Sequence, residues 1–129
     1  MEVNRVDHLV LTVDDIDATV DFYTKVLGMT SEVFGQGRVA LTFGSQKINL
    51  HLAGNEFEPK ARNPLPGSTD LCFITKVPMD KAIAHVKACG VTIIEGPVTR
   101  TGTRGKILSV YFRDPDGNLV EVANEVDTE

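Results

Sequence analysis

The chain lacks any run of basic residues. Its 129 residues carry 13 Lys and Arg against 18 Asp and Glu, for a formal charge of −5. Nucleic acids and anionic membranes are bound through basic faces, so neither is expected as a partner. It also lacks an apolar stretch long enough to cross a bilayer, and Glu2, Arg5 and Asp7 interrupt the N-terminus, so no secretory signal is expected. Cysteine is scarce. Cys72 and Cys89 have no motif spacing and read as reduced core thiols rather than a disulfide or redox pair. The expected location is the cytoplasm. What is present is an ordinary soluble composition, 42% hydrophobic.

The positive signal is an internal repeat. Val6-Asp7-His8-Leu9-Val10-Leu11-Thr12-Val13 has a counterpart in Ser68-Thr69-Asp70-Leu71-Cys72-Phe73-Ile74-Thr75, and a helix-like stretch ending at Gly28 has one ending at Gly90. The shift is the same for both landmarks, so His8 falls on Asp70. Lys47-Ile48-Asn49-Leu50-His51 lies over Gly117-Asn118-Leu119-Val120-Glu121, which sets His51 on Glu121. A repeat of this kind defines the fold before any single element does. Halves of about sixty residues bury too little apolar surface to be comfortable alone. One domain spanning 1–129 is therefore expected, with module one at 5–53, a linker at 54–68 and module two at 69–125.

Each half reads as β-α-β-β-β. Residues 6–13 alternate as a strand, Asp14 and Asp15 supply an N-cap and acidic first turn, and Ile16, Val20, Tyr23 and Leu27 recur at helical spacing. Strands follow at 30–34, 38–43 and 47–52. In the second half a strand covers 69–76, and Pro78 opens a helix whose buried stripe is Met79, Ala82, Ile83, Val86 and Cys89. Strands are expected at 91–95, 107–113 and 118–124. Asp114-Pro115-Asp116-Gly117 has the residues of a type I turn, and Thr99 to Gly105 reads as a polar loop. The fold class expected is α+β: two tandem βαβββ modules forming a curled mixed sheet around a central trough, with helices outside.

Alternate residues of a strand share a face. A pseudo-twofold relation between the halves would bring His8, His51, Asp70 and Glu121 together as metal ligands. Two imidazoles and two carboxylates suit a divalent ion such as Ni, Zn, Co, Mn or Fe. Asn49 faces the same side as His51 and is the alternative in that strand. Glu121 stands among Leu119 and Ala123 and needs a partner. Glu121 and His51 are the candidate catalytic residues, a displaced carboxylate being able to take a proton next to a carbonyl. By hairpin parity Ser109 and Tyr111 share the face of Glu121 and would orient a substrate. Arg100, Arg104 and Lys106 would meet an anionic group, while Phe57, Glu58 and Lys60 would line the mouth. His85 reads as a solvent-exposed residue on the polar side of its helix.

Asp7-His8-Leu9-Val10-Leu11-Thr12-Val13, Phe22-Tyr23 with Val26-Leu27-Gly28-Met29, and Asp114-Pro115-Asp116-Gly117-Asn118 followed by Glu121 resemble the vicinal oxygen chelate superfamily. That superfamily includes glyoxalase I, extradiol dioxygenases, fosfomycin-resistance thioltransferases and bleomycin-binding proteins. Gln46 to His51, Glu56 to Ala61 and Arg100-Thr101-Gly102 look like its glyoxalase-domain-containing protein five group and bacterial virulence-associated counterparts. The resemblance implies a metal-dependent homodimer with ligands at His8, on the strand of His51, at Asp70 and at Glu121. It implies a lyase or isomerase acting on a small substrate with vicinal oxygens. The alternatives are a metal-free binder of an antibiotic or metabolite, or a transferase or dioxygenase. Many metal-binding members have His where this chain has Asp70, so extradiol cleavage would need His51 to supply the second imidazole.

Overall fold

The computed structural model describes residues 1–126; residues 127–129, the end of the expected single domain, lie outside the described residues. Its elements run β1 (His8–Val13), α1 (Ile16–Lys25), β2 (Thr30–Phe34), β3 (Arg38–Phe43), β4 (Gln46–Leu52), β5 (Asp70–Ile74), α2 (Met79–Ala88), β6 (Glu95–Gly102), β7 (Gly105–Arg113) and β8 (Leu119–Glu125). They form two four-stranded mixed sheets, ordered β1-β4-β3-β2 and β5-β8-β7-β6. In each, the first strand pairs parallel with the last and the other pairs are antiparallel. This is the expected pair of βαβββ modules, neither closed into a barrel. The chain divides into two compact units, Met1–Gly67 and a second from Ser68 onward.

In the first unit, Leu11, Val13, Leu41, Ile48 and Leu50 point to one face of the sheet and are buried. Helix α1 covers that face with Thr19 and Tyr23, both fully buried. A fully buried side chain of Leu or Val size contributes about 1.5–3 kcal/mol, so these few residues carry much of the unit's stability. The helix starts where Asp15 accepts a hydrogen bond from the Ala18 amide at 3.0 Å. It ends at Lys25, and Gly28 then turns the chain away with a φ of 67°, in the left-handed region that glycine enters at little cost.

The second unit repeats the plan, with Met79, Ala82 and Val86 of α2 buried. Ile83 is half-buried and His85 is exposed, as its helix position predicts. Three expectations change. The strand expected at 91–95 begins only at Glu95 and runs to Gly102, so the segment read as a loop is the end of β6 and a tight turn. The β-branched Val98, Thr99 and Thr101 pair along β7, and Gly102 meets Gly105 across the two-residue turn Thr103-Arg104. Cys72 and Cys89, expected as core thiols, are exposed. Strand parity turns Cys72 to the side opposite Leu71 and Phe73, and Cys89 caps the end of α2. Finally, the repeat register slips by two residues. His8 pairs with Lys47 and Val10 with Asn49, whereas Asp70 pairs with Leu119 and Cys72 with Glu121. With His8 set on Asp70, the equivalent of Glu121 is therefore Asn49, not His51.

Candidate functional site

The polar face of the first sheet is fixed by register. His8, Val10 and Thr12 of β1 lie beside Lys47, Asn49 and His51 of β4. Ala40 lies opposite Asn49 and Thr42 opposite Lys47 on β3, and Phe34 of β2 lies opposite Arg38. His8 Nδ1 donates to the adjacent Asp7 carboxylate, Nδ1 to Oδ2 at 2.9 Å. That bond holds the Asp7 carboxyl below the usual carboxylate range and leaves Nε2 as the second ring nitrogen of His8.

Asn49 and His51 are buried, yet among the described residues Asn49 Oδ1 and His51 Nε2 have no hydrogen-bond partner. Unsatisfied buried polar atoms are uncommon and call for a reason. The His51 ring meets Phe57 edge to face, centroids 5.5 Å apart. Burial, then the charge of Arg38, lowers the His51 pKa below its ordinary value. Phe57 is carried by a segment stapled by Glu56, whose largely buried side chain accepts from the Gly54 amide at 2.8 Å and pairs with Lys60 at 3.3 Å. These bonds, the Gly54 amide first, hold the Glu56 carboxyl below its ordinary range. Glu58 also pairs with Lys60, at 3.4 Å.

On the second sheet Asp70, Cys72, Glu121, Ser109, Tyr111 and Arg100 share one face by register. Glu121 is half-buried and stands between Cys72 of β5 and Tyr111 of β7. Arg100 Nε donates to Tyr111 Oη at 3.1 Å, and its guanidinium pairs with Glu95 at 3.3 Å. Desolvation, then Glu121, raises the Tyr111 pKa despite the Arg100 bond, so the phenol keeps its proton. Partial burial, then the Glu121 and Asp70 carboxylates, pushes the Cys72 thiol up to about 11. Ser109 is fully buried with Oγ unpartnered. Arg104 does not join this face as an anion receptor, because it forms a two-point pair with Glu125 at 3.0 Å.

Lys106 is exposed and by parity lies on the opposite face of this sheet from Arg100, Ser109 and Tyr111. Among the described residues no three of His, Cys, Asp and Glu gather into a metal-holding group. Two parts of the polar faces escaped the sequence reading. Cys72 beside Glu121 was visible in principle, since Asp70 and Cys72 alternate on one strand. Arg38 and Lys47 were not, because their meeting at Phe34 depends on pairing between three strands.

The sequence profile of the Glyoxalase/Bleomycin resistance protein/Dioxygenase superfamily matches residues 5–122. The chain is 55% identical over 126 residues to virulence protein STM3117 of Salmonella typhimurium, covering 98% of this chain and 88% of that protein. An integron cassette protein from the mobile metagenome of V. cholerae is 61% identical, with a TM-score of 0.96 and 98% of each chain covered. Metallothiol transferase FosB of Shouchella clausii is 31% identical over 121 residues, covering 93% of this chain and 80% of that one. Profile, relatives and module order agree, and the chain belongs to the glyoxalase/bleomycin resistance protein/dioxygenase superfamily.

Proposed function

We propose that the chain is a glyoxalase-like, metal-dependent lyase or isomerase acting on a small substrate with vicinal oxygens. The observation that carries this reading is the matched register of the two sheets. It sets His8 and Asp70 at the starts of β1 and β5, and Asn49 and Glu121 two places further on in β4 and β8. Imidazole, amide and carboxylate donors are of the types that suit a divalent ion such as Ni, Zn, Co, Mn or Fe. His8 offers Nε2 with Nδ1 held by Asp7, and Asn49 offers a buried carbonyl oxygen that lacks a donor. In this reading His8, Asp70 and Glu121 are the ligands, with Asn49 taking the position earlier expected of His51. A bound ion of this kind polarises a carbonyl and steadies charge on its oxygen.

The chain's own groups supply the rest. The Glu121 carboxylate would take the proton from the carbon next to that carbonyl and, once protonated, return it to the neighbouring carbon. His51, uncharged at neutral pH because it is buried beside Arg38, serves as a second proton acceptor at Nε2. The Tyr111 hydroxyl, fixed by Arg100, and the Ser109 hydroxyl orient the substrate oxygens. Phe57, edge to face with His51, shields one side of that ring from water.

The test is turnover of α-oxo-thiohemiacetals and epimerisable thioesters by native chain and by His8→Ala and Glu121→Ala. Loss of turnover in both variants is expected. Full turnover in a metal-stripped double variant would contradict the reading. Similarity to FosB favours thiol transfer as the second reading, which the same variants test with a thiol co-substrate. Ligand capture unchanged by chelators would instead make this a binding protein.

A further inference from the structure

Arg38 and Lys47 place two positive charges on the polar face of the first sheet, and the nearby Glu56 carboxylate is engaged by the Gly54 amide and Lys60 instead. Among the described residues neither makes an ion pair. Both turn instead to aromatic rings. Lys47 Nζ lies 4.0 Å from the Phe34 centroid, and the Arg38 guanidinium carbon lies 5.4 Å from the same centroid and 4.6 Å from that of Phe57. In a chain with 18 acidic residues, carboxylates were not in short supply. Glu32 lies on this face, opposite Ala40, and is exposed with no ion pair to either cation. Asp7 feels Lys47 only as the weakest of its charged neighbours.

A second, independent observation lies on the same face. His51 is 4% exposed and its Nε2 has no partner. The β3–β4 register, with Val39 opposite Leu50, sets Arg38 next to His51. A cation over a ring face is held more weakly than one bonded to an oxyanion, and an orphaned buried nitrogen is satisfied only by a ligand or water. The face therefore offers charge and hydrogen bonding that the unit itself does not use.

We propose that Arg38 and Lys47, seated on Phe34, form a subsite for the oxyanion of a small ligand, a carboxylate or a phosphoryl or phosphonate group. His51 Nε2 hydrogen-bonds an adjacent polar atom of the same ligand. Lys47 is also the register partner of His8, so the oxyanion sits next to a residue assigned above to the metal. That the ligand is the substrate rests on the enzyme reading. Oxyanion binding does not, and it is measured without metal.

The experiment titrates the chelator-treated full chain calorimetrically with inorganic phosphate and, separately, with succinate, at ionic strength held constant with sodium chloride. One saturable site per chain is expected for at least one of them, the tighter ligand naming the group. Arg38→Gln and Lys47→Gln should each weaken it about tenfold or more, the scale of a lost charge-assisted hydrogen bond. Arg38→Lys should retain binding, and Lys25→Gln, from an exposed pair with Asp21 on α1, should leave it unchanged. No saturable binding of either anion by the native chain overturns the proposal. So does native-like affinity in the folded Arg38→Gln, Lys47→Gln double variant, or equal weakening by Lys25→Gln. Oxyanion binding that survives in a chain devoid of metal binding and turnover would count against the enzyme reading alone.

Discussion

His51 is the residue in which burial, charge and orphaned hydrogen bonding meet. Its pKa is depressed by burial first and by Arg38 second. The folded chain thus binds a proton here less readily than the unfolded chain, whose ordinary value is 6.5. The stabilisation is complete above that value and is lost as pH falls through the folded pKa. The melting temperature of the native chain should fall more steeply from about pH 7 to about pH 5 than that of His51→Gln; equal slopes would contradict the assignment. Cys72 has the opposite sign. Its thiol is raised to about 11 from 9.0, so the stability it contributes is present below pH 9 and fades between those values. In chelator-treated protein, iodoacetamide should modify Cys72 slowly near neutrality, with a rate that climbs toward about pH 11. Glu121→Gln should move that profile to lower pH. A rate already at plateau near neutrality would show that the carboxylate neighbours do not act as described.

At the scale of elements, the β7–β8 turn is held by a dense set of hydrogen bonds. Asp114 Oδ1 accepts from the amides of Asp116 and Asn118, Asn118 Nδ2 donates to Asp114 Oδ2, and Asn118 Oδ1 accepts from the Thr69 amide. Asn118 is 1% exposed, so removing its amide strands buried partners. Asn118→Ala should cost about 2–4 kcal/mol by urea unfolding. A cost below about 0.5 kcal/mol, typical of an uninvolved surface position, would contradict this role. At Gly96, φ is +103° and a Cβ would collide with the Ser109 carbonyl oxygen. Gly96→Ala should destabilise by about 2 kcal/mol or more, read the same way. The turn and both helix ends were legible in the sequence, because Asp, Pro and Gly act locally. The course of β6 was not. The polar stretch Thr99 to Gly105, with its two glycines, read as loop, and only pairing with β7 reveals the strand. The exposure of Cys72 was hidden for a related reason: its composition suggests core, and its parity decides otherwise.

At the scale of the molecule, the duplication made the two-module fold legible, and with it the places of His8, Asp70 and Glu121 at repeated positions. The match of His51 to Glu121 was not reliable. Side chains alternate with period 2, so a slip of two residues keeps every side chain on its face and leaves no trace in the hydropathy pattern. Only the parallel pairings of β1 with β4 and β5 with β8 separate Asn49 from His51. Arg38 and Lys47 were illegible for a further reason, since their convergence on Phe34 joins three strands. The proposed function requires a divalent ion, for which His8, Asp70 and Glu121 are the proposed ligands. The most direct measurement is elemental analysis of the tag-free native chain beside His8→Ala and Glu121→Ala. About one ion of Ni, Zn, Co, Mn or Fe per chain, lost in both variants, is the expected result for a site that pools ligands in this way. No ion in the native chain, and none taken up when each of those metals is offered, would contradict it.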